Sequence, residues 1–204
     1  MQKGETVYVV DDDVSMREAL NGLLRSHGFH VLMFDSAQAL LDVFAPEGPS
    51  CLVLDVSMPE MTGLELQENL IALGETVPIV FITAYGDIPM TVRAIKSGAI
   101  EFLQKPVNDD ELVASVEQGL KQDTINRAKR EKRDSVKVKL ETLTPREREV
   151  MEEAIKGRLN KQIAADLGVT EVTIKVHRHN MMQKMGVRSV AELVRMVSQY
   201  EESQ

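Results

Sequence analysis

A chain of 204 residues with 43% hydrophobic content is long for one domain and comfortable for two, each with a core of its own. Its net charge of −8 excludes a wholly cationic nucleic-acid coat, and its single cysteine, Cys51, excludes an intrachain disulfide. The charge is unevenly placed: residues 1–120 hold 6 Lys/Arg against 19 Asp/Glu, whereas residues 121–204 hold 18 against 13, which points to two modules with different partners.

The first 120 residues alternate strand and helix signals. Short apolar or β-branched runs at 6–10, 31–34, 51–54, 79–83 and 101–103 read as strands. Between and after them, helical patterns cover 15–26 (closed by Gly28), 36–44, 63–73, 89–97 (closed by Gly98) and 109–120. Five such units predict an α/β domain, a five-stranded parallel sheet with helices on both faces. Its ligand site should lie outside the carboxyl ends of the strands, where strand order reverses. Cys51 sits in an apolar run and reads as a small buried hydrophobe. No apolar run approaches the roughly 18–20 residues needed to span a bilayer. The amino-terminal strand runs directly into three aspartates, unlike a signal peptide. A cytoplasmic protein with no membrane partner is expected.

From 121 to 141 apolar residues nearly vanish, and a solvated helical linker continuing the fifth helix is expected there, without the a/d pattern of a coiled coil. Its basic run at 127–133 reads as a solvated face, with contact to a DNA backbone as the other reading. A new unit opens at Thr144-Pro145-Arg146-Glu147, where Thr caps, Pro takes the first helical position and Glu reaches back. Residues 142–204 read as an all-α domain. Within it, 160–167 and 171–185 are two helices joined by Gly168-Val169-Thr170, the proportions of a helix-turn-helix. Ile174, Met181 and Met185 share one face of the second helix, and Lys175, Val176, His179 and Gln183 share the other. An exposed valine there makes little folding sense but suits a thymine methyl. His177 and His179 point to different sides and make a poor metal pair.

Three features meet at the expected carboxyl edge of the sheet. The first strand ends in Asp11-Asp12-Asp13, the third in Asp55 and the fourth in Thr83, while Lys105-Pro106 follows the fifth. Clustered carboxylates repel one another, and a hard divalent cation such as Mg²⁺ resolves the repulsion. A carboxylate nucleophile, a metal, an ammonium and a hydroxyl are together the parts needed for phosphoryl transfer. Asp13 and Ser15 read simply as helix-capping residues.

Val9-Val10-Asp11-Asp12, Asp55 followed by Met58-Pro59 and Gly63, Thr83-Ala84 and Lys105-Pro106 resemble a response-regulator receiver domain over residues 1–120. The resemblance implies a flavodoxin-like strand order and Asp55 as phosphoacceptor. It also implies Mg²⁺ (replaceable in vitro by Mn²⁺ or Ca²⁺) bound by Asp12, Asp55 and the backbone carbonyl of Ser57, with Asp11 acting through water. Lys105 would contact the phosphoryl group, Thr83 would move to hydrogen-bond it, and Phe102 holds the aromatic switch position, although a core aromatic accounts for it equally well. A cis Lys105-Pro106 bond is implied too.

Thr144 to Val150, Asn160-Lys161-Gln162-Ile163-Ala164 and Thr173-Ile174-Lys175-Val176-His177 resemble the LuxR/FixJ-type output domain. With Gly86-Asp87-Ile88-Pro89 after Thr83-Ala84-Tyr85, the whole chain is similar to the FixJ/NarL class, nearest in appearance to StyR/TodT-type regulators. That implies base contacts from Lys175, Val176 and His179, with Lys161, Thr173, Arg178, Lys184 and Arg188 as phosphate candidates. The implied partners are a sensor histidine kinase, double-stranded DNA, RNA polymerase and, on phosphorylation, a second copy of the chain. A non-enzymatic regulator is the leading reading. A Mg²⁺-dependent aspartyl phosphatase and a phosphorylated scaffold that binds protein remain open at this point.

Overall fold

The computed structural model describes residues 4–84 and 88–202, and the chain divides into two compact units, one ending at Arg127 and the other beginning at Ala128. In the first unit, β1 (Thr6–Val10), β2 (His30–Phe34), β3 (Ser50–Asp55), β4 (Ile79–Thr83) and β5 (Glu101–Gln104) form one sheet in the order β2-β1-β3-β4-β5. Every pairing is parallel. The helices are α1 (Val14–Ser26), α2 (Ala37–Leu41), α3 (Gly63–Ala72), α4 (Ile88–Lys96) and α5 (Asp109–Glu141), the last of which runs on into the second unit.

The central strands β1, β3 and β4 are apolar on both faces because both faces are covered, whereas the edge strands β2 and β5 keep exposed positions. Tyr8, Val10, Leu52, Leu54 and Phe81 enter one core, while their neighbours Val7, Val9, Cys51, Val53 and Val80 enter the other. Cys51 is fully buried as expected, and burial pushes its thiol pKa up. It lies where α5 crosses: a Cβ built on Gly119 would stand 2.6 Å from its Sγ, so only glycine lets the helix approach. Because β1 lies between β2 and β3, the chain leaves it in opposite directions and a crevice opens at its carboxyl end. Register sets Val10 opposite Leu54, which carries Asp11 and Asp55 to that crevice together.

Two expectations need correction. The helix expected over 36–44 is only α2, because Phe44 turns back to pack edge-on against Tyr8 at 5.2 Å, and Pro46 follows. The fifth helix does continue through 121–141 as α5, but the start of that stretch is not solvated. Asp123 is fully buried and accepts from the Ser50 N–H at 2.8 Å and from Arg127 Nε at 2.7 Å. Arg127 also donates to the Pro46 carbonyl at 3.1 Å. The first turns of this stretch therefore complete the first unit, moving its end from 120 to Arg127, and Leu140 is buried in the second. Tyr85, Gly86 and Asp87, part of the motif quoted above, lie outside the described residues.

The second unit contains the end of α5 with α6 (Pro145–Ile155), α7 (Asn160–Asp166), α8 (Glu171–Met185) and α9 (Val190–Glu201). Thr144 and Glu147 form the expected capping box with Pro145 inside it. Thr170 caps α8, and Gly186 ends it in the left-handed region at φ 69°. Ile163, Ala164 and Ile174 pack α7 on α8, and Met181, Met185, Leu193 and Val197 form an adjoining core. Among the described residues no helix is long and apolar enough to cross a membrane.

Candidate functional sites

At the crevice, Asp11 is buried and held on every side. Its Oδ2 meets Lys105 Nζ at 2.9 Å, its Oδ1 accepts from the Asp13 N–H at 2.9 Å, and its carbonyl accepts from Arg17 at 2.5 Å. Asp55, also buried, takes a second bond from Lys105 at 3.0 Å, and its Oδ1 lies 3.3 Å from the Ser57 N–H. Asp12 is exposed, and one oxygen from each of Asp11, Asp12 and Asp55 falls within 4.8 Å of the others, a group able to hold a metal ion. Asp13 does what a cap does, accepting from the N–H groups of Ser15 and Met16.

Gly63 is what allows Asp55 its position. A Cβ there would stand 2.4 Å from the Asp55 carbonyl oxygen, and the Gly63 N–H bonds the Val56 carbonyl at 3.1 Å. Lys105 is delivered by β5: its N–H donates to the Thr83 carbonyl at 2.7 Å, and a cis bond to Pro106 follows. Thr83 is fully buried at the end of β4, next to the Ile82 that pairs with Asp55. Phe102 is half-buried against the core, its ring 5.9 Å from that of Phe81.

Burial pushes the Asp11 carboxyl above its ordinary pKa, only partly offset by Lys105 and the Asp13 N–H. Burial alone would lower the Lys105 ammonium, but the bonds and charges of Asp11 and Asp55 outweigh it and its pKa rises. The directions agree physically: one ammonium shared between two buried carboxylates is held firmly and still leaves Asp11 short of positive charge.

On the second unit, Lys175, Val176, His179 and Gln183 are exposed along one face of α8. Beside it lies a hollow of about 420 Å³ bounded by Asn160, Lys175, Arg178, His179, Gln183 and Arg188. Lys161 is exposed on α7, and Arg188 is exposed just beyond α8. Thr173 is occupied locally, bonded through its N–H and hydroxyl to Thr170. Arg178 is half-buried and donates to Asn160 Oδ1 at 2.8 Å. Lys184 is not brought to this face: its ammonium meets the buried Glu147 at 2.6 Å and the Thr142 carbonyl at 3.0 Å. The capping acid draws it there, and its place on α8 is turned well away from Lys175 and His179. Arg17 was not singled out in the sequence, and Asn160 was quoted only within a motif, with no role of its own. Arg17 lies one turn beyond the Asp13 cap, a spacing that places it over the site.

Comparison with known proteins covers both units. Residues 7–117 match the response regulator receiver domain, and residues 141–197 match the bacterial regulatory proteins of the LuxR family. Nodulation protein W of Bradyrhizobium diazoefficiens is 47% identical over 190 residues, spanning 93% of this chain and 84% of that protein. Response regulator protein TodT of Pseudomonas putida is 42% identical over 201 residues, spanning 98% and 88%. Among solved structures, that of response regulator StyR is 54% identical with a TM-score of 0.86, covering 97% of this chain and all of that one. The LuxR-type match gives the carboxyl half a role that neither the phosphatase nor the scaffold reading supplies. The chain belongs to the two-component response regulators that join a receiver domain to a LuxR-type DNA-binding domain and control transcription.

Proposed function

We propose that a sensor histidine kinase phosphorylates Asp55, and that the phosphorylated receiver dimerises and tightens the hold of α8 on specific double-stranded DNA. The observation that carries this is the shared grip of Lys105 on Asp11 and Asp55 beside exposed Asp12, an arrangement short of one cation. An Asp55 oxygen forms the new P–O bond as the P–N bond of the donor phosphohistidine breaks, the nitrogen keeping the electron pair. Lys105 neutralises phosphoryl oxygen, Thr83 moves to donate its hydroxyl, and Phe102 follows into the space left. Mg²⁺ supplies further charge neutralisation; Asp12, Asp55 and the Ser57 carbonyl would hold it directly and Asp11 through water, with Mn²⁺ or Ca²⁺ as substitutes.

The switch is adequate in energy. A Lys–phosphoryl pair about 4 Å apart at an effective dielectric near 20 is worth about 4 kcal/mol before desolvation. Half of that shifts a two-state equilibrium more than tenfold. On the DNA, Lys175, Val176 and His179 address base edges, Lys161, Thr173 and Arg188 address phosphates, and Arg178 braces α8 through Asn160. The output unit is only mildly basic, so two half-sites bound by a dimer supply affinity that one unit lacks. RNA polymerase is the machinery that the promoter-bound dimer engages.

The test measures oligomeric mass and DNA affinity with and without acetyl phosphate, for wild type and Asp55→Asn. One phosphoryl group per chain, doubled mass and tighter DNA binding are expected only for phosphorylated wild type. Identical mass and affinity in all four states would overturn the proposal.

A further inference from the structure

We infer that Val172 reads a thymine methyl group alongside Val176, so that α8 carries two apolar base contacts one helical turn apart; this rests on the reading of α8 as the recognition helix. Val172 is 69% exposed and Val176 is 53% exposed. Four residues apart on one helix, they lie on the same face about 6 Å apart along the axis. His179 and Gln183 continue that face, exposed, and Lys175 flanks it. The opposite face, through Ile174, Met181 and Met185, is fully buried and supplies the packing that holds α8 in place.

A β-branched residue on an exposed helical face lowers helix propensity and gains no burial in return. Two of them in register, among polar neighbours, form a ridge that folding does not require. Its surroundings name the occupant. Lys175, loosely paired at 3.6 Å with exposed Glu171, flanks the ridge, Arg188 shares a hollow with Lys175, His179 and Gln183, and the amino-terminal end of α8 adds its positive dipole, a setting for a polyanion. Residues near the start of a recognition helix are the ones that reach base edges, and Val172 is the second residue of α8. Among base edges in the major groove, the C5-methyl of thymine is the apolar feature a valine complements. With base pairs about 3.4 Å apart, the two valines address thymines about two steps apart.

The test uses the full chain and a duplex that it selects from a random-sequence library, with single thymines then replaced by uracil, which lacks only the methyl group. Each methyl buried against a valine is worth about fourfold in affinity. Wild type should show that loss at two thymine positions in each half-site. Val176→Ala should abolish the loss at one of them and Val172→Ala at the other, while Val172→Ile retains both. If Val172→Ala responds to every uracil as wild type does, the inference falls. If wild type selects a duplex whose retention is unaffected by Lys175→Ala, or selects none, the recognition-helix reading itself fails and the inference falls with it.

Discussion

One ammonium among three carboxylates sets the behaviour of individual residues in the receiver. Asp11 is buried beside Lys105, yet its carboxyl lies above the ordinary value of 3.8. A carboxyl raised on folding favours the native state when protonated. That contribution is complete below 3.8 and is lost as pH rises through the higher folded value. At neutral pH the ionised Asp11 therefore weakens the fold it serves. Asp11→Asn keeps an oxygen for the Asp13 N–H but sets its amide NH2 against Lys105 Nζ, so it isolates the pH dependence of the carboxyl and should lose Mg²⁺-dependent phosphorylation. Urea denaturation at pH 7 and pH 4 checks the sign, because wild type should gain on Asp11→Asn on acidification; an equal gap at both would refute it. Glu147 has the opposite sign. The bond from Lys184, and then the Thr144 N–H, hold its pKa below 4.5, so its stabilising contribution is full above 4.5 and disappears as pH falls through the folded value. Glu147→Gln should remove that acid sensitivity from the output unit, as read from thermal melts of the output transition between pH 3 and pH 6.

Elements were legible where a local pattern and a tertiary demand coincide. Strands buried on both faces appear as continuous apolar runs, and the capping box at Thr144 closes with its glutamate three residues on. The acidic pocket was legible because its residues end strands, and strand ends share one edge. What stayed hidden was charge turned inward. Asp123 and Arg127 read as part of a solvated polar run because a buried ion pair and a surface one have the same letters and the same spacing. Only the fold brings the Ser50 N–H and the Pro46 carbonyl to them. Lys184 was misplaced for the same reason. The clamp has a measurable consequence: Asp123→Ala leaves the Arg127 Nε and the buried Ser50 N–H without their shared acceptor and should cost the receiver about 3 kcal/mol. A further Arg127→Ala in that background should add little, since both belong to one network. Additive effects in urea denaturation would show that the two do not act together.

At the scale of the whole chain, acidic and basic halves correspond to separate hydrophobic cores that share no residue. The carboxylates able to hold a metal ion, Asp11, Asp12 and Asp55, belong wholly to the first unit. A ligand that binds only the native form stabilises it by an amount set by its concentration over Kd, about 2.7 kcal/mol at a hundredfold excess. For a domain of this size that is a rise of about 10 °C in Tm. Scanning calorimetry should therefore resolve two transitions, and Mg²⁺ should raise the receiver's while leaving the output unit's in place. Asp55→Asn removes one carboxylate charge from the group of three and should cut the Mg²⁺-induced rise by more than half, and Asp123→Ala should lower the same transition without changing its response to the metal. A single transition that moves as a whole with Mg²⁺ would mean that α5, continuous through both units, ties their unfolding together. The charge division would then mark two partners without marking two folding units.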